Sequence, residues 1–321
     1  LTSAEMIAWL DELMLQLQPL YEQLHCWARH RLAARFVGDE APLLMPAHWL
    51  PRRWGDSWPG LATKINLDGI FVDSTPQSII EQAEQFCTSL GFDPLPVTFW
   101  GRSDLFELSE DSGRTKSTKA SAWHIDLDQD VRSLMNIQPT FSWFKTAHGE
   151  LGRVFCFLAY SRPYVPPVLR RGPNRALAGG LSNLIELAGT QPAYLQEIGL
   201  LAPEDTPPQM RILLNQALLG PVVFLPFACG TLAHWEHDLY EEDLPRHLFN
   251  TRWWELAERF QGIAPPNAPD VRDEEFCDPA NLPQIIVKAG RSYDDALSGL
   301  IMHQLHRYIC RELLQQDVHS A

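Results

Sequence analysis

The chain has 321 residues, of which 45% are hydrophobic and 21% are charged. These fractions are typical of a globular protein and exclude a disordered or fibrous one. The 40 acidic residues outnumber the 26 basic residues, which gives a net charge of −14. Because this charge repels phosphate groups, nucleic acids and anionic membrane surfaces are poor partners. A chain of this length can bury enough surface to fold without disulfides or a structural metal.

Apolar residues recur at helical spacing along most of the chain. The first helix is predicted over residues 4–35, with a kink at Pro19, and the second begins at Ser74-Thr75-Pro76 and ends near Leu90. Further helices are predicted over residues 140–160, 175–189, 191–199, 207–219, 222–240, 251–261 and 293–315. Residues 117–127 are the best strand candidate. This pattern predicts a single, mainly α domain.

The longest uncharged stretch runs from Ile212 to Ala233 and is long enough to span a membrane. Gly220, Pro221 and Pro226 interrupt it, and lipid cannot replace the backbone hydrogen bonds that proline removes. We therefore expect an interrupted core helix and no membrane insertion. No signal-peptide pattern opens the sequence, although a processed chain would have lost one.

The six cysteines form no C-x-x-C pair. Cys26, Cys87, Cys156 and Cys229 lie in apolar, helix-like surroundings. This predicts buried thiols rather than a disulfide framework or a zinc site, and it favours a reducing compartment.

Residues 146–153 (TAHGELGR) have the outline of a metalloprotease helix. In such a helix, two histidines one turn apart bind zinc, and a glutamate between them activates water. Here the ligand positions hold Gly149 and Arg153. Glycine has no donor atom, and a guanidinium cannot deprotonate to bind a cation. If His148 is taken as the first ligand instead, the second ligand position falls on Gly152, which also has no donor atom. This helix is therefore not predicted to bind zinc in either register.

An acidic segment follows the strand candidate. His124, Asp126, Asp128 and Asp130 alternate with other residues, and on a strand the three carboxylates would share one face, which could hold a hard cation. A solvated acidic edge is the simpler interpretation. The run 241–243 (EED) is likewise interpreted as a solvated helix end.

Two pairs of histidines occur at a spacing of three residues on predicted helices: His234 with His237, and His303 with His306. Neither pair has an evident third ligand, which a zinc site needs. Surface or packing roles are therefore expected for both pairs.

Seven stretches, in order along the chain, carry a resemblance to a known family. They are LQPLYEQLHCWARHRL (17–32), PAHWLPRRWGDSWPGL (46–61), ASAW (120–123), LRRGPN (169–174), YLQEIGLL (194–201), FLPF (224–227) and RWWELAERFQGIAPP (252–266). Together they resemble the angiotensin-converting-enzyme family of zinc peptidyl-dipeptidases. The resemblance implies that family's mainly α peptidase fold, in one domain over residues 1–321, with a small β-hairpin near residues 117–136. The family's chains are longer, so we expect its N-terminal lid helices to have no counterpart.

The resemblance also implies that the zinc site is degenerate. The family's two zinc-binding histidines fall on Gly149 and Arg153, its catalytic glutamate on Glu150, its third zinc ligand on Gly179 and a supporting aspartate on Asn183. We therefore expect neither zinc nor another cofactor, and Glu150 would have no metal-bound water to deprotonate. Glu186 lies two helical turns beyond Gly179, roughly 10 Å along the axis, and is not expected to replace it.

Positions on the substrate side of the family's site differ as well. The histidine before ASAW is Lys119 here, and the glutamine of the family's AQSW motif is Asp56. The family's later tyrosine matches Tyr293 only with a shift in alignment. Its disulfide across the hairpin falls on Thr118 and Asn136, so that bond is expected to be lost.

These observations predict a non-catalytic pseudoenzyme that acts as a binding or structural component of a protein complex. Absent lid helices would expose apolar groove walls, which favours a protein partner or an oligomer, and a peptide could occupy the remnant groove. The alternative is a hydrolase or metalloenzyme with a rebuilt site that uses Glu150 with His148, His124, Asp126, Asp128 or the helical histidine pairs. By resemblance the protein would be secreted, whereas the lost disulfide and unpaired cysteines favour an intracellular or organellar complex.

Overall fold

A computed structural model describes residues 2–38, 40–61, 65–172, 174–266 and 275–318. The helices are α1 (Ser3–Phe36), α2 (Pro76–Ser89), α3 (Val97–Arg102), α4 (Phe141–Tyr160), α5 (Arg175–Gly189), α6 (Pro192–Glu197), α7 (Gln209–Leu219), α8 (Pro221–Leu225), α9 (Ala233–Tyr240), α10 (Phe249–Gln261), α11 (Gln284–Val287) and α12 (Ser292–Tyr308). The strands are β1 (Met45–Pro46), β2 (Ser121–His124), β3 (Val131–Leu134) and β4 (Ile263–Ala264). The predicted mainly α fold with a small β-hairpin is confirmed.

The chain forms two compact units whose sequences are interleaved. The first unit comprises Leu1–Ile65 and Pro207–Ala296, and the second comprises Asn66–Thr206 and Leu297–Ala321. The assignment of residues 1–321 to one domain stays a prediction.

In the first unit, the long helix α1 packs its buried face against the 221–240 segment. Thr2 and Glu5 form a capping box that satisfies backbone N–H groups at the start of this helix. Pro19 lies inside the helix without ending it. Strands β1 and β4 pair in parallel over two residues each, with Met45 opposite Ile263.

The apolar segment 209–240 is interrupted, as its prolines and glycine predict. Gly220 separates α7 from α8, and Pro226 opens a stretch of π-helix, Pro226–Leu232, in which all seven residues are buried. Among the described residues, Gln209–Tyr240 is the one helical stretch that is long and apolar enough to cross a membrane by length and composition, a test that buried helices of soluble proteins also pass.

The second unit is organised around α4, which packs against α2, α5 and the hairpin. Thr140 and Asn174 accept hydrogen bonds from the first turns of α4 and α5, so both helices begin with a side-chain cap. Strands β2 and β3 pair antiparallel, with Ala122 opposite Ser133. The core between these elements includes Phe71, Ile80, Phe99, Met135, Phe144 and Leu151.

Three local features differ from the sequence predictions. Cys26 is exposed, although its apolar surroundings predicted a buried thiol, while Cys87 and Cys229 are buried and Cys156 is half-buried; all six cysteines are free. Strand β2 ends at His124, so the acidic segment that follows is a turn rather than a strand face. The short helices α3 and α11 and the strands β1 and β4 were not predicted.

Candidate functional site

The candidate site lies on the contact between α4 and α5, the most extensive helix contact among the described residues of the second unit. Glycines on α4 allow this approach, because a Cβ atom at Gly152 would lie 2.9 Å from the Cβ of Ile185. The Ser182 hydroxyl donates a hydrogen bond to the carbonyl of Gly149 at 2.5 Å. The backbones of α4 and α5 therefore approach each other closely at the residues that align with the family's zinc-binding helix.

Glu186 occupies the space that a side chain at position 149 would need. A Cβ atom at Gly149 would lie 2.6 Å from Oε2 of Glu186. The other carboxylate oxygen, Oε1, lies 3.0 Å from the Nζ of Lys145. From its distance along α5, Glu186 was not expected to replace Gly179; the structure places it instead across the helix contact, against the first ligand position.

The third ligand position is filled in a similar way. A Cβ atom at Gly179 would lie 2.8 Å from the Cβ and 3.0 Å from the Oγ of Ser298, which belongs to α12. At the neighbouring Gly180, a Cβ atom would meet Ile301 of the same helix at 2.6 Å. Asn183 follows Gly179 by one turn on α5.

Glu150 is the one acidic residue that remains at the aligned zinc positions. Burial raises the pKa of its carboxyl, and the nearby Glu186 raises it further, whereas Arg153 and Lys119 oppose the rise. Its Oε2 atom is buried and has no hydrogen-bond partner in the described part of the chain. The carboxyl therefore keeps its proton to a higher pH than a glutamate in the unfolded chain does.

Zinc does not fit the residues at this position. Gly149 and Gly179 offer no donor atom, and Arg153 carries a guanidinium, which does not coordinate cations. Over the described ranges, no three His, Cys, Asp or Glu side chains lie close enough together to hold one metal ion.

His148 is held in an aromatic core and not in an open site. Its Nδ1 atom donates to the carbonyl of Phe144 at 2.8 Å, and its ring lies 4.3 Å from that of Phe144 and 5.6 Å from that of Phe86, measured between centroids. Burial lowers the pKa of His148 to about 4, so the ring is neutral at pH 7. Its environment is that of a packed core histidine.

The acidic turn after β2 is closed by its own hydrogen bonds. Asp126 accepts from the backbone N–H groups of residues 128 and 130, at 2.9 Å each. Asp130 is buried rather than solvated, and hydrogen bonds from Arg132 and Arg102 lower its pKa to about 2. Asp128 lies 3.8 Å from Arg170. The three carboxylates are thus divided among separate partners.

The remaining candidate histidines are also dispersed. His124 stacks on Phe157 and lies 3.0 Å from the hydroxyl of Ser161, which itself donates to a backbone carbonyl and is fully buried. His234 lies 3.3 Å from Asp11, and His237 lies 3.7 Å from Asp238. His303 and His306 are neighbours on α12, and burial lowers the pKa of His303.

The other aligned positions have specific local environments. Burial raises the pKa of Asp56, which lies in the first unit. Lys119 lies two residues before the hairpin strand β2, and Tyr293 lies in the first turn of α12. The side-chain amide of Asn136 donates to the carbonyl of Ser117 at 2.8 Å, next to Thr118. This hydrogen bond links the two sides of the hairpin where the family's disulfide aligns.

Comparison with known proteins decides the family. The sequence profile described as angiotensin-converting enzyme, Peptidase M2, matches residues 2–319. The chain belongs to the angiotensin-converting-enzyme family. It is 32% identical to the angiotensin-converting enzyme of Bos taurus over 94% of its own length, which is 24% of the bovine protein. The corresponding values are 27%, 94% and 50% for the enzyme of Theromyzon tessulatum, and 30%, 80% and 44% for that of Haematobia irritans exigua. The chain thus spans about a quarter to a half of these relatives.

Lys145, Ser182 and Ser298 belong to none of the sequence motifs that predict the site of this family member. The available signal was the glycine spacing, with Gly149 and Gly152 one turn apart on α4 and Gly179 and Gly180 on α5. Glycines in helix interiors cost stability, so a group of them indicates a close approach by other elements. That signal predicts the helix contact but not which side chain fills it.

Proposed function

We propose that this member of the angiotensin-converting-enzyme family is a pseudopeptidase, a protein that keeps the scaffold without the zinc-dependent chemistry. The observation that carries the proposal is the filling of the aligned ligand positions: Glu186 lies against Gly149, and Ser298 lies against Gly179. Loss of a ligand by substitution alone would leave a cavity. Here neighbouring side chains have taken the space, as expected of a core packed without a metal.

The first experiment measures zinc in the native protein and its hydrolysis of a peptide library. We expect zinc well below one atom per chain and no release of dipeptides. Stoichiometric zinc together with chelator-sensitive hydrolysis would overturn the proposal.

A second experiment restores the family's donors with Gly149→His, Arg153→His and Gly179→Glu, with and without Glu186→Ala. If Glu186 fills the first ligand position, the triple variant binds zinc poorly and adding Glu186→Ala improves its affinity. Lys145→Ala is the control, because it removes the partner of Glu186 without clearing the space. Equal zinc affinity with and without Glu186 would show that this residue does not block the position.

The environment of Glu150 favours a second candidate, a hydrolase with a rebuilt site. A buried carboxyl with a raised pKa beside a second carboxylate, Glu186, is an arrangement that enzymes use for general acid or base catalysis. Glu150→Gln separates the two candidates. It abolishes any hydrolysis if Glu150 is catalytic, and it leaves the binding properties of a pseudopeptidase unchanged.

We further propose that the protein acts by binding another protein, either a different partner or a second copy. Support comes from an exposed apolar loop in the second unit, where Tyr164 is 76%, Val168 85% and Leu169 60% exposed. Exposed apolar patches on soluble proteins often mark interaction sites. Light scattering on the purified chain, and on the triple variant Tyr164→Ser, Val168→Ser, Leu169→Ser, tests this. Association that the substitutions abolish is expected, whereas a monodisperse monomer that captures no partner would contradict it.

A further inference from the structure

A groove in the first unit, distant in sequence from the α4–α5 contact, has the features of a ligand site. It runs along α1 and has a volume of about 620 Å³. Its floor is formed by Met14, Leu17, Tyr21, His25, Pro226 and Phe260. We call this the α1 groove. Its volume lies within the range of roughly 300–1,000 Å³ that is usual for small-molecule sites.

The floor of the α1 groove is apolar. Met14 and Tyr21 are buried, and the Tyr21 hydroxyl donates to the backbone carbonyl of Gln261 at 2.8 Å. The Tyr21 hydroxyl is therefore already used as a hydrogen-bond donor within the protein. An apolar group of a ligand could contact the Met14 and Leu17 side chains without displacing a hydrogen bond.

His25 adds a hydrogen-bond acceptor to this floor. Its Nε2 atom lies 3.0 Å from the carbonyl oxygen of Gly262, and a carbonyl only accepts, so Nε2 must carry the hydrogen. Burial lowers the pKa of His25, and the neutral ring then leaves Nδ1 with a free lone pair. Gly262 is required for this contact, because it has φ +63° and a Cβ there would meet the His25 ring.

The rim of the α1 groove is acidic. Glu22 and Glu258 line it together with Asp11 and Arg259. Arg259 lies 3.1 Å from Asp11 and its guanidinium lies 4.6 Å from the centre of the Phe260 ring, so it is committed to those two groups. Glu22 accepts a hydrogen bond from a neutral glutamine only, at 2.6 Å. Two carboxylates on the rim are thus left without a neutralising cation in the described residues.

We propose that the α1 groove binds a small organic cation, a primary amine attached to an apolar group. The ammonium would lie between the Glu22 and Glu258 carboxylates with His25 as a third acceptor, and the apolar group would pack on Met14 and Leu17. The net charge of −14 adds a long-range attraction for cations. This inference does not depend on whether the protein is a pseudopeptidase.

The test is titration by NMR or calorimetry with three probes of the same shape: 4-phenylbutylamine, neutral 4-phenylbutanol and anionic 4-phenylbutyrate. We expect saturable binding of the amine, weaker binding of the alcohol and none of the carboxylate. Higher salt should weaken binding of the amine, because the carboxylates are exposed. Absence of saturable amine binding at millimolar concentration, or equal binding of amine and alcohol, would overturn the proposal.

Glu22→Gln and Glu258→Gln keep the size of each side chain and test the rim directly. Each substitution is expected to weaken amine binding by about 1.5- to 5-fold, the range for an exposed ion pair, and the double variant by more. Glu12→Gln is the matched control, since Glu12 is an exposed acid on α1 outside the groove lining. A loss of affinity in the control equal to that in the rim variants would mean that the amine responds to overall charge and not to the groove.

Discussion

Glu236 offers a sharp test of the electrostatics of the first unit. This α9 residue is only 3% exposed, and its Oε1 atom has no hydrogen-bond partner in the described part of the chain. Burial raises the pKa of the carboxyl from 4.5 to about 7, against a smaller opposing effect of the Gly290 N–H group, which donates to it. Between pH 4.5 and about 7 the native state therefore keeps a proton that the unfolded chain has lost.

The sign of the effect follows from proton linkage. Between pH 4.5 and about 7 the native state binds more protons than the unfolded state, so the free energy of unfolding falls as the pH rises. A tenfold change in proton affinity corresponds to about 1.4 kcal/mol, so the total loss is about 3 kcal/mol at most. Glu236→Gln removes the ionisable group and keeps its shape. The variant should therefore gain stability relative to the wild type as the pH rises.

Urea unfolding at pH 4.5 and pH 8, followed by circular dichroism, measures this difference. The free energy of unfolding of Glu236→Gln, relative to that of the wild type, should rise by up to about 3 kcal/mol between the two pH values. Glu241→Gln, at an exposed site just after α9, is the control and should show no such change. A difference for Glu236→Gln that does not vary with pH would refute the reasoning.

Three further predictions concern packing, a buried histidine and a thiol. Gly152→Ala should destabilise the protein by about 1–3 kcal/mol in urea unfolding, because the new methyl group would lie 2.9 Å from the Cβ of Ile185. Gly149→Ala should destabilise it less, since the new methyl group displaces only the flexible end of Glu186. Equal losses of stability in the two variants would contradict this. Burial lowers the pKa of His148 from 6.5 to about 4, so stability should fall as the pH drops through that window, and an acid-unfolding profile unchanged by His148→Gln would argue against it. Cys26 is the one exposed thiol among the six, so a thiol reagent should modify one cysteine rapidly in the native protein. Cys26→Ser should remove this fast phase of modification. A fast phase that survives the substitution would contradict the assignment.

The sequence contains most of the helical fold because helix periodicity and capping are local properties. Residues 175–189 were predicted as a helix, and α5 has the same bounds. The two-residue pairing of β1 with β4 could not be predicted, because it joins positions 45 and 263 and leaves too short a pattern in either segment. The π-helical turn after Pro226 depends on tertiary packing, since all of its residues are buried.

The candidate site could be predicted only in part, for a similar reason. Aligned motifs predict that the family's donors are replaced at positions 149, 153 and 179. They did not indicate that Glu186 fills the space at Gly149, because distance along one helix does not measure distance to a neighbouring helix. Cys26 illustrates the same limit, since apolar neighbours in sequence do not fix which face of a helix is buried.

The interleaved units have a consequence for synthesis of the protein on the ribosome. Part of the buried face of helix α1 packs against the 221–240 segment, so the residues between Ile65 and Pro207 must be translated before that partner exists. At about 5–20 residues per second, this interval lasts roughly 7–30 s. During that time the second unit can begin to fold. The 21–33 part of α1 can already pack on residues 45–61, whereas the face of α1 that packs on the 221–240 segment has no native partner. Nascent chains of this protein are therefore expected to need a chaperone on α1 until its partners emerge.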